Sequence, residues 1–382
     1  AYNNLGKLLV EELAEYEKAI DCYKKAIDIS PENVDASYNT AVVFQIKKDY
    51  KNSIYYYEKV IKIKPNYCEA INNLGIVYIE LKDYKKAINN FNKILNLEPN
   101  FSQINYNIGL TYKLAGQPKK AIEYLKKEKN NISNLEILKC YYLLNDMDEY
   151  EKLLKQISVD NPCDREIANL TVYVSGKMKR KNIYPFCIDP FKFLKIQNLK
   201  EEIKLIDKFA SDLLIRLNTK KTLWEPSANT TIGGYHTYGN LFFSNFKEIL
   251  FLKKIIINYM LKYKKLYNSE ELFIKKWPEK MNIIGWHVKL LKQGYQKTHI
   301  HPDGWLSGVF YLKIPKKINK DEASIMFTEN HPNLPYENNL KNIIHVPKEY
   351  DLVLFPSSLS HKTIPFKSDE ERQIIAFDFM PA

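Results

Sequence analysis

Thr298-His299-Ile300-His301-Pro302-Asp303-Gly304-Trp305-Leu306-Ser307-Gly308-Val309-Phe310-Tyr311-Leu312 is the stretch on which the reading of the chain turns. Alternation along an extended strand sends residues i and i+2 to the same face, so His299 and His301 can grip one ion as a short pincer. His361 follows sixty residues after His301, and Arg372 eleven after that. All seven histidines lie after residue 235, and there are only four arginines. Arg372 is therefore not one of a crowd. Three imidazoles and a guanidinium in this order point to a metal site with an anion anchor. Around them run short apolar stretches, Ser324 to Phe327, Ile343 to Phe355 and Arg372 to Phe379. Broken by Pro and Asn clusters, they predict an antiparallel barrel or sandwich.

This order of motifs resembles the Fe(II)/2-oxoglutarate-dependent oxygenase superfamily, most closely its branch with a His-x-His-Pro and Ser-Gly-Val-x-Tyr-Leu signature. The resemblance covers about residues 183 to 382. It implies a double-stranded β-helix (jelly-roll) with flanking helices, Fe(II) and 2-oxoglutarate as cofactors, and O2 as co-substrate. His299, His301 and His361 match the ligand positions. Arg372 matches the residue that binds the far carboxylate of 2-oxoglutarate, and Tyr311 a tyrosine that assists it. The usual carboxylate position holds His301 instead, although 2-His-1-carboxylate is the commoner iron set. A literal His-x-Asp exists one step later, so Asp303 stands as the alternative ligand. Starting the motif at His301 would shorten an already short link to the strand from Val309 to Leu312. The pair His299 and His301 is preferred for that reason.

Three histidines also suit zinc with an open position. Arg372 tilts the choice to iron. A zinc hydrolase has no general need of a guanidinium on the strand after its third ligand, whereas a chelating five-carbon diacid leaves a far carboxylate that needs a bidentate partner.

The first third of the chain carries a separate signal. Pro31, Pro65 and Pro99 are spaced by 34 residues, the tetratricopeptide period. Leu74-Gly75, Tyr78, Ala87 and Phe91 fall where that repeat wants small and aromatic residues, and Gly109, Tyr112 and Ala121 echo them. Ala41, Phe44, Ser53 and Tyr57 mark a weaker copy, and Tyr2, Gly6, Ala19 and Tyr23 one slightly out of phase. Resemblance to tetratricopeptide repeats covers about residues 1 to 130 and implies a protein or peptide partner. Asn39, Asn73 and Asn107 recur every 34 residues. As amides that both donate and accept, they can form a ladder for an extended peptide.

The expected architecture is multidomain: a helical repeat array over 1–130, a degenerate helical repeat and linker over 131–182, and the oxygenase-like domain over 183–382. Helical apolar spacing continues from Asn134 to Ile157, and the preferred break lies in Gly176 to Pro190. A second unusual segment, Gly233-Gly234-Tyr235-His236-Thr237-Tyr238-Gly239-Asn240, pairs glycines with polar groups. Its simplest reading is a tight turn, and His236 is a possible substrate contact.

The formal net charge is +12 over 382 residues. No zinc-finger, helix-turn-helix or aromatic RNA-binding signature accompanies it, so nucleic acid is not the expected partner. Five scattered cysteines without a Cys-x-x-Cys pair point to free thiols in a reducing cytoplasm. No run of about 18 apolar residues exists, so no membrane span is expected. The chain opens inside a repeat, at Ala1-Tyr2, and the expectation is that a natural start lies upstream. The functional expectation is a 2-oxoglutarate-dependent dioxygenase acting on a protein or peptide. The alternatives are hydroxylation of a small molecule or lipid, and a repeat adaptor with an inactive barrel.

Overall fold

The structure, a computed structural model, describes residues 1–11, 15–128, 130–226, 230–267, 270–316 and 319–382. The chain divides into two compact units, Ala1–Leu153 and Leu154–Ala382. In the first, the 34-residue period becomes paired helices: Tyr2–Glu11 with Tyr16–Ile29, Val34–Ile46 with Tyr50–Ile63, Cys68–Glu80 with Tyr84–Leu97, and Ile104–Leu114 with Pro118–Leu125. A Cβ on Gly75 would lie 2.5 Å from Phe91 Cε1, so the helices of that pair meet backbone against ring. Gly6 meets the Tyr23 ring in the same way, and Gly109 meets the branched side chain of Leu125. Asp49 and Asp83 cap their helices, accepting from the backbone N–H of Asn52 at 3.2 Å and of Lys86 at 3.1 Å. The turn within each pair repeats too: Lys48, Lys82 and Gly116 all have positive φ, at 60°, 60° and 74°.

In the second unit the described residues form ten strands: β1 Lys195–Asn198, β2 Thr222–Trp224, β3 Thr231–Thr237, β4 Met281–Gln296, β5 Leu306–Lys313, β6 Ile325–Thr328, β7 Asn342–His345, β8 Asp351–Pro356, β9 Ser360–Thr363 and β10 Arg372–Pro381. Seven make one sheet in the order β1-β8-β5-β10-β4-β3-β2, and three make another in the order β7-β6-β9. Every pairing is antiparallel. Val288, Leu290, Val309, Val353, Phe355 and Ile374 from the larger sheet share one core with Ile325 and Phe327 from the smaller. The Ser-Gly-Val signature has a packing reason, since a Cβ on Gly308 would strike the Phe377 ring at 2.3 Å.

Helices flank these sheets, among them Ile206–Asn218 and Lys247–Leu266. The helix Arg165–Met178, inside the segment expected to be repeat and linker, is bonded into the second unit. Asn169 Nδ2 donates to Ser358 C=O at 3.0 Å and to Ser360 Oγ at 2.9 Å, and Tyr173 donates to Pro335 C=O at 2.9 Å. Among the described residues no helix is long and apolar enough to cross a membrane.

Phe91 is fully buried, so Gly75→Ala forces its ring aside. Overpacking of this kind costs about 1–3 kcal/mol. The variant is expected to unfold at lower denaturant concentration by helical circular dichroism; an unchanged midpoint would show that the ring yields freely.

Candidate metal centre

Backbone pairing brings the histidines together. His299 and His361 form an antiparallel bridge in which each N–H donates to the other's carbonyl at 3.0 Å. His301 N–H donates to Ser357 C=O at 3.0 Å, which holds the same segment to the connection between β8 and β9. The ring centroids lie 4.2 Å apart for His299 and His361, 5.1 Å for His301 and His361, and 5.2 Å for His299 and His301. One ligating nitrogen from each ring falls within 4.8 Å of the other two.

Each ring is oriented through Nδ1. That of His299 donates to Lys297 C=O at 2.7 Å, that of His361 to Leu359 C=O at 3.0 Å, and that of His301 to Asp378 Oδ2 at 2.8 Å. Carbonyl and carboxylate oxygens only accept, so each ring carries a proton on Nδ1. Nε2 is left with its lone pair, the arrangement in which histidine ligates a metal. Asp378 is held in turn: its Oδ1 accepts from Ser307 Oγ at 2.6 Å, and Ser307 Oγ lies 2.7 Å from Ser357 Oγ. Trp286 stacks on His301 with centroids 5.7 Å apart and planes 19° apart.

Asp303 stands outside the group of three. Gly304 N–H donates to His301 C=O at 3.1 Å, closing a turn with Pro302 at its second position and Asp303 at its third. Asp303 is exposed there, on the rim of a cleft of about 330 Å³ that His299 and His301 also line.

Arg372 is 1 % exposed. Its Nε donates to Ala323 C=O at 3.0 Å, one NH2 group reaches Tyr311 OH at 3.4 Å, and the guanidinium lies 5.1 Å from the centre of the Tyr311 ring. Its other terminal nitrogen, NH1, is buried with no hydrogen-bond partner among the described residues. An unmatched guanidinium nitrogen in an apolar core is costly, and a carboxylate is the group that matches it.

The glycine segment is a strand with a bulge rather than a loop. Gly233 has φ 66°, and the pairing of β3 with β4 shifts register between Ile232 and Gly234. A Cβ at Gly233 would come 3.0 Å from Gly294 Cα. The shift brings Thr231 and His236, five residues apart, into a hydrogen bond between Oγ1 and Nε2. His236 is a wall of the same cleft.

Burial, the largest effect, pushes His299 down to about 3, with neighbouring His301 next; it takes His361 well below the ordinary imidazole range. His236 and His287 are pushed down to about 4, again mainly by burial. All four are neutral at pH 7. Arg372 is lowered by burial and partly restored by Tyr311, whereas burial raises Tyr311 against the pull of Arg372.

Asp378, Ser307 and Trp286 escaped the sequence reading. A carboxylate inside the apolar run Ile374–Phe379 was the available signal, because a buried charge needs a partner. The amides of the repeats are engaged: Asn39 Nδ2 donates to Asn3 Oδ1 at 2.9 Å, Asn73 Nδ2 to Tyr38 OH at 2.9 Å, and Asn107 Nδ2 to Asn72 Oδ1 at 2.8 Å. These bonds join consecutive helix pairs.

Residues 285–378 match the family model described as "Putative 2OG-Fe(II) oxygenase". Residues 12–47, 34–67, 68–101 and 102–127 match models of the tetratricopeptide repeat. The chain is thus a fusion of N-terminal tetratricopeptide repeats with a C-terminal 2-oxoglutarate-Fe(II) oxygenase domain. Among solved structures it is similar to PilF of Pseudomonas aeruginosa at 22 % identity and TM-score 0.40, over 47 % of this chain and 83 % of that one. It is also similar to a tetratricopeptide repeat protein of Parabacteroides merdae at 16 % identity and TM-score 0.41, over 47 % and 72 %. No curated protein matches the chain.

The oxygenase family implies Fe(II) and 2-oxoglutarate. The residues fit both. Three oriented imidazoles can hold a metal, and the unmatched Arg372 nitrogen suits the far carboxylate of a diacid.

Below pH 6.5 the unfolded chain protonates His236, His287 and His299 while the folded chain does not until about 4, 4 and 3. Stability is therefore fullest above 6.5 and falls as pH drops toward those values, by up to about 1.4 kcal/mol per pH unit for each such histidine. The metal-free protein is expected to melt at clearly lower temperature at pH 5.5 than at pH 7.5; a flat profile would contradict the burial of these rings.

Proposed function

We propose that the protein is a 2-oxoglutarate-dependent dioxygenase that hydroxylates a protein or peptide recruited by its repeats. In this reading Nε2 of His299, His301 and His361 hold Fe(II). Asp378 fixes the His301 ring and, as a carboxylate bonded to Nδ1–H, makes its Nε2 a stronger donor. Arg372 binds the far carboxylate of 2-oxoglutarate, and Tyr311 sets the guanidinium in place. When bound, iron and 2-oxoglutarate supply the oxidation: O2 is split, one oxygen entering succinate as CO2 leaves, the other entering a substrate C–H bond. The protein's share is to bind, orient and keep the anchor dry.

The observation that carries this reading is the buried NH1 of Arg372. A metal triad alone suits a hydrolase equally well. A fully buried guanidinium with one face unmatched calls for an anionic ligand, which the 2-oxoglutarate reading supplies. Oriented imidazoles argue against an inactive barrel, since an adaptor has no use for three rings locked on Nδ1. The two antiparallel sheets with a shared core support the jelly-roll reading of the domain, with residues 183–382 as its main body.

Repeats of this kind mediate protein interaction. Asn39, Asn73 and Asn107 are half-buried. Asn39 and Asn107 each have a second amide N–H, which we assign to the backbone of the recruited peptide; the Asn73 amino group faces the Tyr57 hydroxyl as well as that of Tyr38, so its share in the ladder is its carbonyl. All five cysteines are unpaired, which supports work in a reducing compartment such as the cytoplasm.

Anaerobic reconstitution with Fe(II), followed by succinate release from 2-oxoglutarate on admitting O2, tests the proposal. Arg372→Met keeps most of the buried volume and removes the charge. Losing a buried carboxylate partner costs on the order of 2–5 kcal/mol, so 2-oxoglutarate affinity should fall at least tens-fold with iron content retained. Tyr311→Phe should do less. Equal 2-oxoglutarate affinity in Arg372→Met would remove the case for this co-substrate.

A further inference from the structure

We infer that Asp303 is a substrate-binding carboxylate, and that the group it holds is a cation on an aliphatic stem, as in a lysine or arginine side chain. The inference rests on the oxygenase reading and names the substrate chemistry of that site.

The cleft beside the triad has two unlike sides. Ile284 and Trp286 on β4, with Met380 on β10, give it an apolar wall. Strand pairing makes this wall continuous, since Asp378 lies opposite Ile284 and Met380 opposite Asn282. The turn carrying Pro302 and Asp303 forms the rim. Two carboxylates line the cleft, Asp303 and Asp378. Asp378 is committed through both oxygens to His301 and Ser307. The carboxylate of Asp303 has no hydrogen bond or ion pair among the described residues.

Nothing about this rim is loose. Arg165 Nε donates to Pro302 C=O at 2.8 Å, and a Cβ on Gly304 would strike Ser357 Oγ at 2.5 Å, so the turn is clamped on one side and packed on the other. A fixed lone carboxylate at the mouth of an apolar-walled cleft matches a ligand with a methylene stem and a charged head, which is how lysine and arginine behave at interfaces. The same carboxylate repels an anionic substrate and holds a neutral donor less strongly than a charged one. With its head on Asp303, such a ligand lays its stem across the Ile284 and Trp286 wall, with a methylene beside the triad. A methylene C–H becomes C–OH there, with O2 and 2-oxoglutarate converted to hydroxylated product, succinate and CO2.

The test uses the full chain loaded with Fe(II) and 2-oxoglutarate. The probes are a pool of lysine-containing and arginine-containing peptides, the same pool with its lysines acetylated and arginines replaced by citrulline, and free L-lysine and L-arginine. The readouts are the ratio of probe-stimulated to probe-free succinate release within each preparation, a 16 Da gain on the probe, and calorimetric binding of the peptides to the metal-free protein. The basic pool should raise the ratio and the neutralised pool should not. Stimulation should weaken with added salt. Because Asp303 is exposed, Asp303→Asn should raise the probe KM by about threefold or more, and Asp303→Lys by about tenfold or more. Stimulation by the free amino acids places the cation on a small molecule; stimulation by peptides alone places it on a protein. Equal stimulation by the neutralised pool, or an unmoved KM in Asp303→Lys, would reduce Asp303 to a turn residue and overturn the inference while leaving the oxygenase reading intact. Absence of any succinate release or iron retention would overturn both.

Discussion

The reciprocal backbone bonds between His299 and His361 are the constraint on which the C-terminal site depends. Two imidazoles sixty-two residues apart in sequence reach a centroid distance of 4.2 Å because their peptides pair, not because their side chains attract one another. Side-chain attraction is weak here: burial holds His299 and His361 neutral, and three donor nitrogens facing one point offer one another nothing. Backbone hydrogen bonds fix the positions, Nδ1 bonds fix the ring planes, and the lone pairs converge as a result. Preorganisation of this kind is built before any metal arrives.

Arg372 illustrates the opposite balance. Placing a guanidinium at 1 % exposure beside Tyr311 and Ala323 forfeits hydration, and only Nε and one NH2 group recover a hydrogen bond. Natural cores seldom leave such a group unmatched. Where one does, a ligand that completes the set gains affinity, because the protein has already met the desolvation cost in folding. Arg372 and the histidines thus share one logic: polar atoms are arranged within an apolar shell, with one face of each left for something else.

The repeat unit is built differently, from the same contacts copied at a fixed interval. Gly against Tyr, Phe or Leu recurs at Gly6, Gly75 and Gly109, and the positive-φ turn recurs at Lys48, Lys82 and Gly116. Helix pairs are joined by neighbouring amides as well as by apolar packing. The amides at positions 39, 73 and 107 therefore have a structural role in joining pairs, and any peptide they meet uses the N–H and carbonyl capacity that remains.

Sequence by itself determined the features that recur or alternate. The 34-residue period gave the helix pairs, because each pair repeats the same close contact and leaves the same mark. Alternation put His299 and His301 on one face, and rarity singled out His361 and Arg372. What only tertiary structure decided was which distant residues meet. Asp378 behind His301, Ser307 behind Asp378 and Trp286 against His301 depend on the register of β10 with β4 and β5. A shift of one residue would turn every one of those side chains to the other face. The bulge at Gly233, which sets His236 against Thr231, and the helix Arg165–Met178, bonded to Ser358 and Ser360, were equally out of reach. Local pattern follows from the chain's own periodicity, but register and long-range pairing are settled by the packing of the whole core, which no short stretch of sequence contains.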